Sequence, residues 1–506
     1  MKKSSNITFL QLISLLKKYK KKSIYSVSRK LIWDIFSQEK ICPSIYTRIL
    51  NTYIPKIIIL SIANSNNLNN KLKVTFKRLY DISLNYIHIS ESISDHSFLV
   101  KEDIEITAAL LSKGDIPEKY ISSSYINGTA KHLFLARSVR QQFEMSQYSF
   151  NEILMVYDIL TRLQNGSEVF NEKFIEIFGI SVLHFMRSIV SIMSLAIKKR
   201  GMIDFDKITI EEGYEEKYGI NIATCKNVAL SLATDESSIK KWYADRVKTS
   251  NKYYQKYETY PLHKSAILAI NSDNFLICSP SLYIRGSIEY ILYKVQGKID
   301  NLGDIIEDHI YYGLQNIFGN DSITKIPKNK SDPSADFKIE FDDFIIIVEC
   351  KSSIGNHTNL SRLSPLIISQ SWEKLYHASK QCSASVKEFV GCNKEILTVV
   401  LIAQNIFAES ISYELFARRS GIYTDLGIDH IEFISWQDLQ YYLSKTSIDN
   451  FVKVLIERKK NTDITVFQTL TFNIEEDKPA HEYQYLKKFD NEIFARIITE
   501  NPESFK

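Results

Sequence analysis

Six cysteines in 506 residues (Cys42, Cys225, Cys278, Cys350, Cys382 and Cys392) lie scattered, with no CxxC pair among them. That spacing excludes a zinc ribbon and a disulfide framework, and it suits a reducing, cytoplasmic compartment. No stretch reads G-x-x-x-x-G-K-[ST], G-x-G-x-x-G, H-E-x-x-H or G-x-S-x-G, so a nucleotide-driven motor or a serine hydrolase lacks its motif here. The chain is also short of long apolar runs. Its most apolar stretch, Ser181 to Ile197, contains His184 and Arg187 and falls short of a membrane span, so a buried helix and no membrane partner are expected. Gln11 and Ser14 interrupt the run Ile7 to Leu16, and no small-residue cleavage site follows, so the segment does not read as a secretory signal. Charge of one sign is missing as well: 63 Lys and Arg face 59 Asp and Glu, and a net charge of +4 says little about partners. Only Met1 to Trp33 is biased, with nine basic residues and no acidic one. Either an arm that meets phosphates or a solvated helix face produces such a bias.

What is present is the composition of a folded protein, with 44% hydrophobic and 24% charged residues over a length that implies two to four domains. Few glycines or prolines break the first 250 residues. Apolar residues there recur at three- and four-residue intervals in Phe9 to Leu16, Tyr46 to Ala63, Phe150 to Leu163 and Val182 to Ile197, which predicts helices. No internal repeat of fixed period is found. Near Tyr260 the texture changes to two short strands, Ser265 to Ile270 and Phe275 to Cys278, around a polar turn, followed by a helix from Leu282 to Val295. Beyond Gly303 the order helix, strand, strand, strand, helix, strand is readable up to Ala403. The pieces are a helix Gly303 to Phe318, strands Ile323 to Ile326, Asp336 to Phe341 and Phe344 to Val348, a helix opened by Ser364 and Pro365, and a strand Ile396 to Ala403. The expected division is a mainly helical region 1–255 that recognises or regulates, a connecting segment 256–300, an α/β domain 301–445 with a mixed sheet flanked by helices, and a helix-and-strand extension 446–506.

The chemistry is concentrated at the hairpin. An E-x-K triplet alone means nothing, since Glu215-Glu216-Lys217, Glu457-Arg458-Lys459 and Glu476-Asp477-Lys478 also occur, but only Glu349-Cys350-Lys351 ends a buried-strand run. If Asp342-Asp343 is the turn, Phe341 faces Phe344, and counting outward places Asp336 opposite Glu349. Alternation then puts Asp336, Glu349 and Lys351 on one face, and Phe337, Ile339, Phe341, Phe344, Ile346 and Val348 on the other, so the first face is expected to be chemical and the second core. Two carboxylates paired about 5 Å apart repel unless a cation lies between them, and oxygen ligands of this kind suit Mg²⁺. Lys351, roughly 7 Å along the strand, reaches the same pocket and can serve a reacting phosphate. An exposed i, i+2 ion pair at a strand end is the structural alternative for Glu349 and Lys351.

The Asp336, Glu349-Cys350-Lys351 pattern with its flanking elements resembles the PD-(D/E)xK superfamily of restriction-endonuclease-like nucleases, over a span from Gly303 to about Leu443. The resemblance implies a restriction-endonuclease-like core and an Mg²⁺-dependent phosphodiester hydrolase, with Mn²⁺ able to substitute. Asp336 and Glu349 become metal ligands, joined by the backbone carbonyl of Cys350 and by Glu307, and Lys351 becomes the catalytic lysine. The sequence departs from the literal PD spelling, because Pro333 precedes Ser334-Ala335-Asp336, and Asp332 is therefore a rival to Asp336. Glu307 has a second reading as the capping-box partner of Asp304. On the following helix, Gln370, Lys374, His377 and Gln381 fall on one polar stripe, either a substrate-phosphate contact or a solvated face. His309, His357 and His430 show no metal-ligand spacing and are expected to be structural. Nucleic acid is the expected partner, DNA ahead of RNA, with a homo-oligomer or a partner protein engaged through the N-terminal region. A gated activity, for example in bacterial defence against foreign DNA, is the expected setting, with repair, transposition or a non-catalytic binding role as alternatives.

Overall fold

The computed structural model describes residues 9–38, 45–64, 72–87, 95–133, 150–166, 168–208, 221–249, 267–295, 302–328, 333–352, 365–403, 407–444 and 446–460. These form an α/β protein with two mixed sheets, of four and five strands, flanked by helices. The chain separates into two compact units. One comprises Met1–Glu91, Gln141–Asp300 and Leu486–Lys506, and the other Ser92–Arg140 and Asn301–Tyr485.

The first unit is mainly helical, and the periodic segments fold as their spacing predicts, into Phe9–Leu16, Ile45–Ala63, Phe150–Gly166 and Val182–Lys198. The apolar stretch ending at Lys198 is a buried helix. Ser181 caps it by accepting from the His184 N–H, and Gly179, at φ +75°, breaks it from the preceding helix Glu168–Phe178. The small sheet runs in the order β1 (Met202–Asp204), β4 (Asn274–Ile277), β3 (Ile267–Ala269), β2 (Thr234–Asp235). Asn271 shapes the β3–β4 turn, its side-chain oxygen accepting from the Asp273 and Asn274 N–H groups. Residues 267–295 are therefore no connector: β3 and β4 are the central strands of this sheet. The two strands that frame them are only three and two residues long, too short to show a period.

The second unit is built on the order β5 (Ile323–Lys325), β6 (Phe337–Glu340), β7 (Phe344–Lys351), β8 (Glu395–Ile402), β9 (Glu432–Ser435). β5, β6 and β7 are antiparallel neighbours, and β8 and β9 join in parallel. A parallel return needs a crossover, and the helix Pro365–Lys387 supplies it between β7 and β8. Helix Leu302–Phe318 covers the opposite face, where Tyr311 packs on Phe337 and Phe318 on Phe341. Helix Ile448–Lys460 joins the same side through Phe451, which meets Phe318 and Tyr442. It therefore belongs to this unit rather than to an extension; the remainder of that expected extension, 461–506, lies outside the described residues.

The expected boundary also needs a second correction. Residues 92–140, assigned by sequence to the helical N-terminal region, belong to the second unit. Helix His96–Lys113 lies along the crossover helix, and Ile106, Leu110, Ile116, Tyr120 and Ile126 share one core with Trp372, Leu375, Tyr376 and Phe416. Trp372 stacks on Phe416 at 4.5 Å between ring centres. The physical reason is that the outer side of the crossover helix is itself apolar, and this distant segment covers it.

Candidate active site

The hairpin register puts the site together. Phe337 pairs with Val348 and Glu340 with Ile345, and the Phe341 N–H donates to Phe344 O at 2.9 Å, so Asp342-Asp343 is a two-residue turn. Asp336, one residue before β6, thus falls opposite Glu349, and its own N–H donates to Val348 O at 3.1 Å. Both acids are buried, Asp336 4% and Glu349 1% exposed.

The expected division of faces is only half right. Phe337, Ile339, Ile346 and Val348 are core. So are Ile345 and Ile347, which share the face of Glu349 and Lys351 and pack with Ala335, Val386 and Phe389. The face is chemical only at its end, because the crossover helix covers the rest. The same helix closes the site from above: Ser385 accepts from the Ala335 N–H at 2.9 Å, and Cys382 is fully buried beside the acidic pair.

Most of the site's charged and amide groups are tied to one another. Asp336 Oδ2 accepts from the Cys350 N–H at 2.7 Å, and Asp336 Oδ1 pairs with the Lys328 ammonium at 2.9 Å. That ammonium also donates to Glu307 Oε2 at 2.8 Å. Lys351 Nζ donates to Glu349 Oε1 at 2.5 Å and to Gln381 Oε1 at 2.8 Å, while Gln381 Nε2 donates to Ser334 O at 3.2 Å. Glu349 Oε2 is the exception: it is buried and accepts no hydrogen bond among the described residues. Burial first, then the charge of Asp336 and, as the smallest cause, a hydrogen bond between the two acids when Glu349 is protonated, push the Glu349 carboxyl up to about 8 from an ordinary 4.5, with Lys351 opposing. A buried acid of this kind is not the exposed i, i+2 pair of the structural alternative.

The sequence candidates divide as follows. Asp336, Glu349, Lys351, Gln381 and, through Lys328, Glu307 come together. Glu307 does not close a capping box, because the helix already begins at Leu302 and its carboxylate is taken by Lys328. The Cys350 N–H faces Asp336, and in an extended strand a residue's carbonyl leaves on the same side as its N–H, so that carbonyl borders the site. Of the stripe, Gln370 is half-buried away from these contacts, and Lys374 and His377 are exposed. Lys374 still senses the centre: partial burial, and then the ammonium groups of Lys351 and Lys113, hold it below its ordinary value. Asp332, His357 and Ser364 lie outside the described residues. His309 is buried and accepts from Trp436 Nε1 at 3.2 Å, which fits a structural role. His430 does too, lying 3.2 Å from both Glu414 and Glu432 in an ionic network completed by Arg418 and Arg458. Sequence reasoning missed Lys328, whose only signal is its place in the loop that leads toward Pro333.

No family model, curated protein or solved structure matches the chain.

The donor chemistry suits a hard divalent cation. Among the described residues no three His, Cys, Asp or Glu side chains converge as a ready-made metal-ligand group. Mg²⁺ does not require one, since it keeps several waters and binds through one or two carboxylates. Glu349 Oε2, buried without a donor and beside a second carboxylate, is the kind of atom such a cation would satisfy.

Proposed function

We propose that the second unit is a divalent-metal-dependent nuclease that hydrolyses phosphodiester bonds, with DNA as the substrate expected first. The observation that carries this reading is the buried, unpartnered Glu349 Oε2 beside Asp336, with the Lys351 ammonium fixed on the same face. Leaving a carboxyl oxygen buried and unsatisfied costs about 1–3 kcal/mol or more, and the fold has no packing use for it. Asp336 and Glu349 would hold Mg²⁺, with Glu307 and the Cys350 carbonyl at its border. The cation would supply charge stabilisation at the phosphate and a more acidic water.

The chain's own groups divide the remaining work. The Cys350 N–H fixes one oxygen of Asp336 and leaves the other facing the site. Lys351 presents a positive charge where a phosphate oxygen becomes more negative in the transition state, and preorganised charge of this kind lowers the barrier. Gln381 acts as a positioning residue: anchored on the Ser334 carbonyl, it holds the Lys351 ammonium with its amide oxygen. Lys374 extends the positive region along the crossover helix, where a strand's neighbouring phosphates would lie.

The direct test is incubation of the purified protein with supercoiled plasmid, linear duplex DNA, single-stranded DNA and RNA, in Mg²⁺, in Mn²⁺ and in chelator. Cleavage that needs the metal and disappears in Glu349→Gln and Lys351→Ala supports the reading. Metal-independent cleavage, or none on any substrate, refutes it.

A further inference from the structure

Lys328 has no place in the proposed chemistry, yet its ammonium sits between two of the site's carboxylates, 2.9 Å from Asp336 Oδ1 and 2.8 Å from Glu307 Oε2. A cation shared by Asp336 and Glu307 would compete with Lys328 for these oxygens. The two acids stand on different elements: Glu307 on the helix Leu302–Phe318, and Asp336 at the start of β6. Asp336 is buried, and a buried carboxylate needs a compensating charge. Lys328 supplies it from a side chain that is itself 57% exposed, on the loop after β5, so the ammonium can leave for solvent without breaking the fold. By contrast the Lys351 ammonium is held at 21% exposure by Glu349 and Gln381, and has no such exit.

We propose that Lys328 is a resident counter-cation of the metal site, neutralising Asp336 and Glu307 in the metal-free protein and swinging out when a divalent cation binds, so that Glu307 becomes a ligand only after Lys328 has left. The inference rests on the metal-site reading of Asp336 and Glu349 above. It assigns to the chain a built-in competitor that lowers apparent metal affinity and ties metal entry to movement of the Lys328 side chain.

The test is calorimetric titration with Mn²⁺ of the full chain, comparing wild type with Lys328→Met and Lys328→Arg, alongside thermal melting in chelator and in Mn²⁺. Lys328→Met should bind Mn²⁺ about tenfold or more tightly than wild type, the scale on which two partly exposed ion pairs oppose a competing cation. It should also melt lower in chelator and regain that loss in Mn²⁺, because the metal then provides the missing charge. Lys328→Arg keeps a cation between the two acids and should stay near wild type in affinity. Adding Glu307→Gln to Lys328→Met should cancel the gain. If wild type binds Mn²⁺ and Lys328→Met binds equally or more weakly, Lys328 is not the competitor and the inference fails while the metal site stands. If neither wild type nor Lys328→Met binds Mn²⁺, the inference and the metal-site reading fall together. Binding by Lys328→Met alone would be the strongest support for both.

Discussion

Glu349→Gln isolates the charge at the centre of the site, because the amide keeps the side chain's shape and removes its ionisation. The wild-type carboxyl titrates at about 8 in the folded protein against an ordinary 4.5, so its charged form is disfavoured by folding. The sign follows: the penalty is absent below pH 4.5, grows as the pH rises, and levels off above about 8. At pH 7 it is on the order of 3 kcal/mol for the metal-free protein, from about 1.4 kcal/mol for each of the two and a half pH units above the ordinary value. The attraction of Lys351 is already contained in the shifted value, so the substitution should raise stability by roughly 3–4 kcal/mol in chelator at pH 8. At pH 5 the two proteins should differ little. Metal should act the other way and narrow the gap, because Mg²⁺ at a hundred times its dissociation constant adds about 2.7 kcal/mol to a protein that binds it and nothing to one that does not. Urea denaturation at pH 5 and pH 8, each in chelator and in Mg²⁺, measures all four quantities. A Glu349→Gln protein that is less stable than wild type at pH 8 in chelator, with Mg²⁺ affecting neither, would show that Glu349 is a structural partner of Lys351 and that the charge argument is wrong.

Lys351→Ala should retain Mn²⁺ binding in calorimetry yet lose cleavage by on the order of a hundredfold or more, whereas Asp336→Ala should lose both. Lys374→Ala should weaken nucleic-acid binding across sequences and reduce the slope of log affinity against log salt by about one, as measured by fluorescence titration from low to moderate salt. A chain starting at residue 301 should fail to fold alone, since it exposes the surface that Ile106, Leu110, Ile116, Tyr120 and Ile126 cover. Five such side chains at about 1.5–3 kcal/mol each rival the whole stability of a domain. Joining 92–140 to 301–485 through a flexible linker should restore a cooperative melt.

The sequence by itself determined the local elements and one long-range fact, the pairing of Asp336 with Glu349. That was possible because strand alternation and a two-residue turn leave a single register: once Asp342-Asp343 turns the chain, parity fixes which side chains share a face. Gln381 was legible for a similar reason, since helical spacing placed it on a polar stripe and the crossover carried that stripe over the strand ends. Tertiary structure decided the rest. Ile345 and Ile347 lie on the face expected to be chemical, and only the crossover helix above them makes that stretch core while the strand end stays polar. Residues 92–140 look like any other helical segment of the first 250, and nothing periodic says whose apolar surface they cover; contacts with Trp372 and its neighbours assign them to the second unit. Lys328 joins the site through a distance across the fold, from a chain position that carries no motif. Periodicity records which face of an element is apolar, but which other element meets that face depends on the three-dimensional packing of the whole unit.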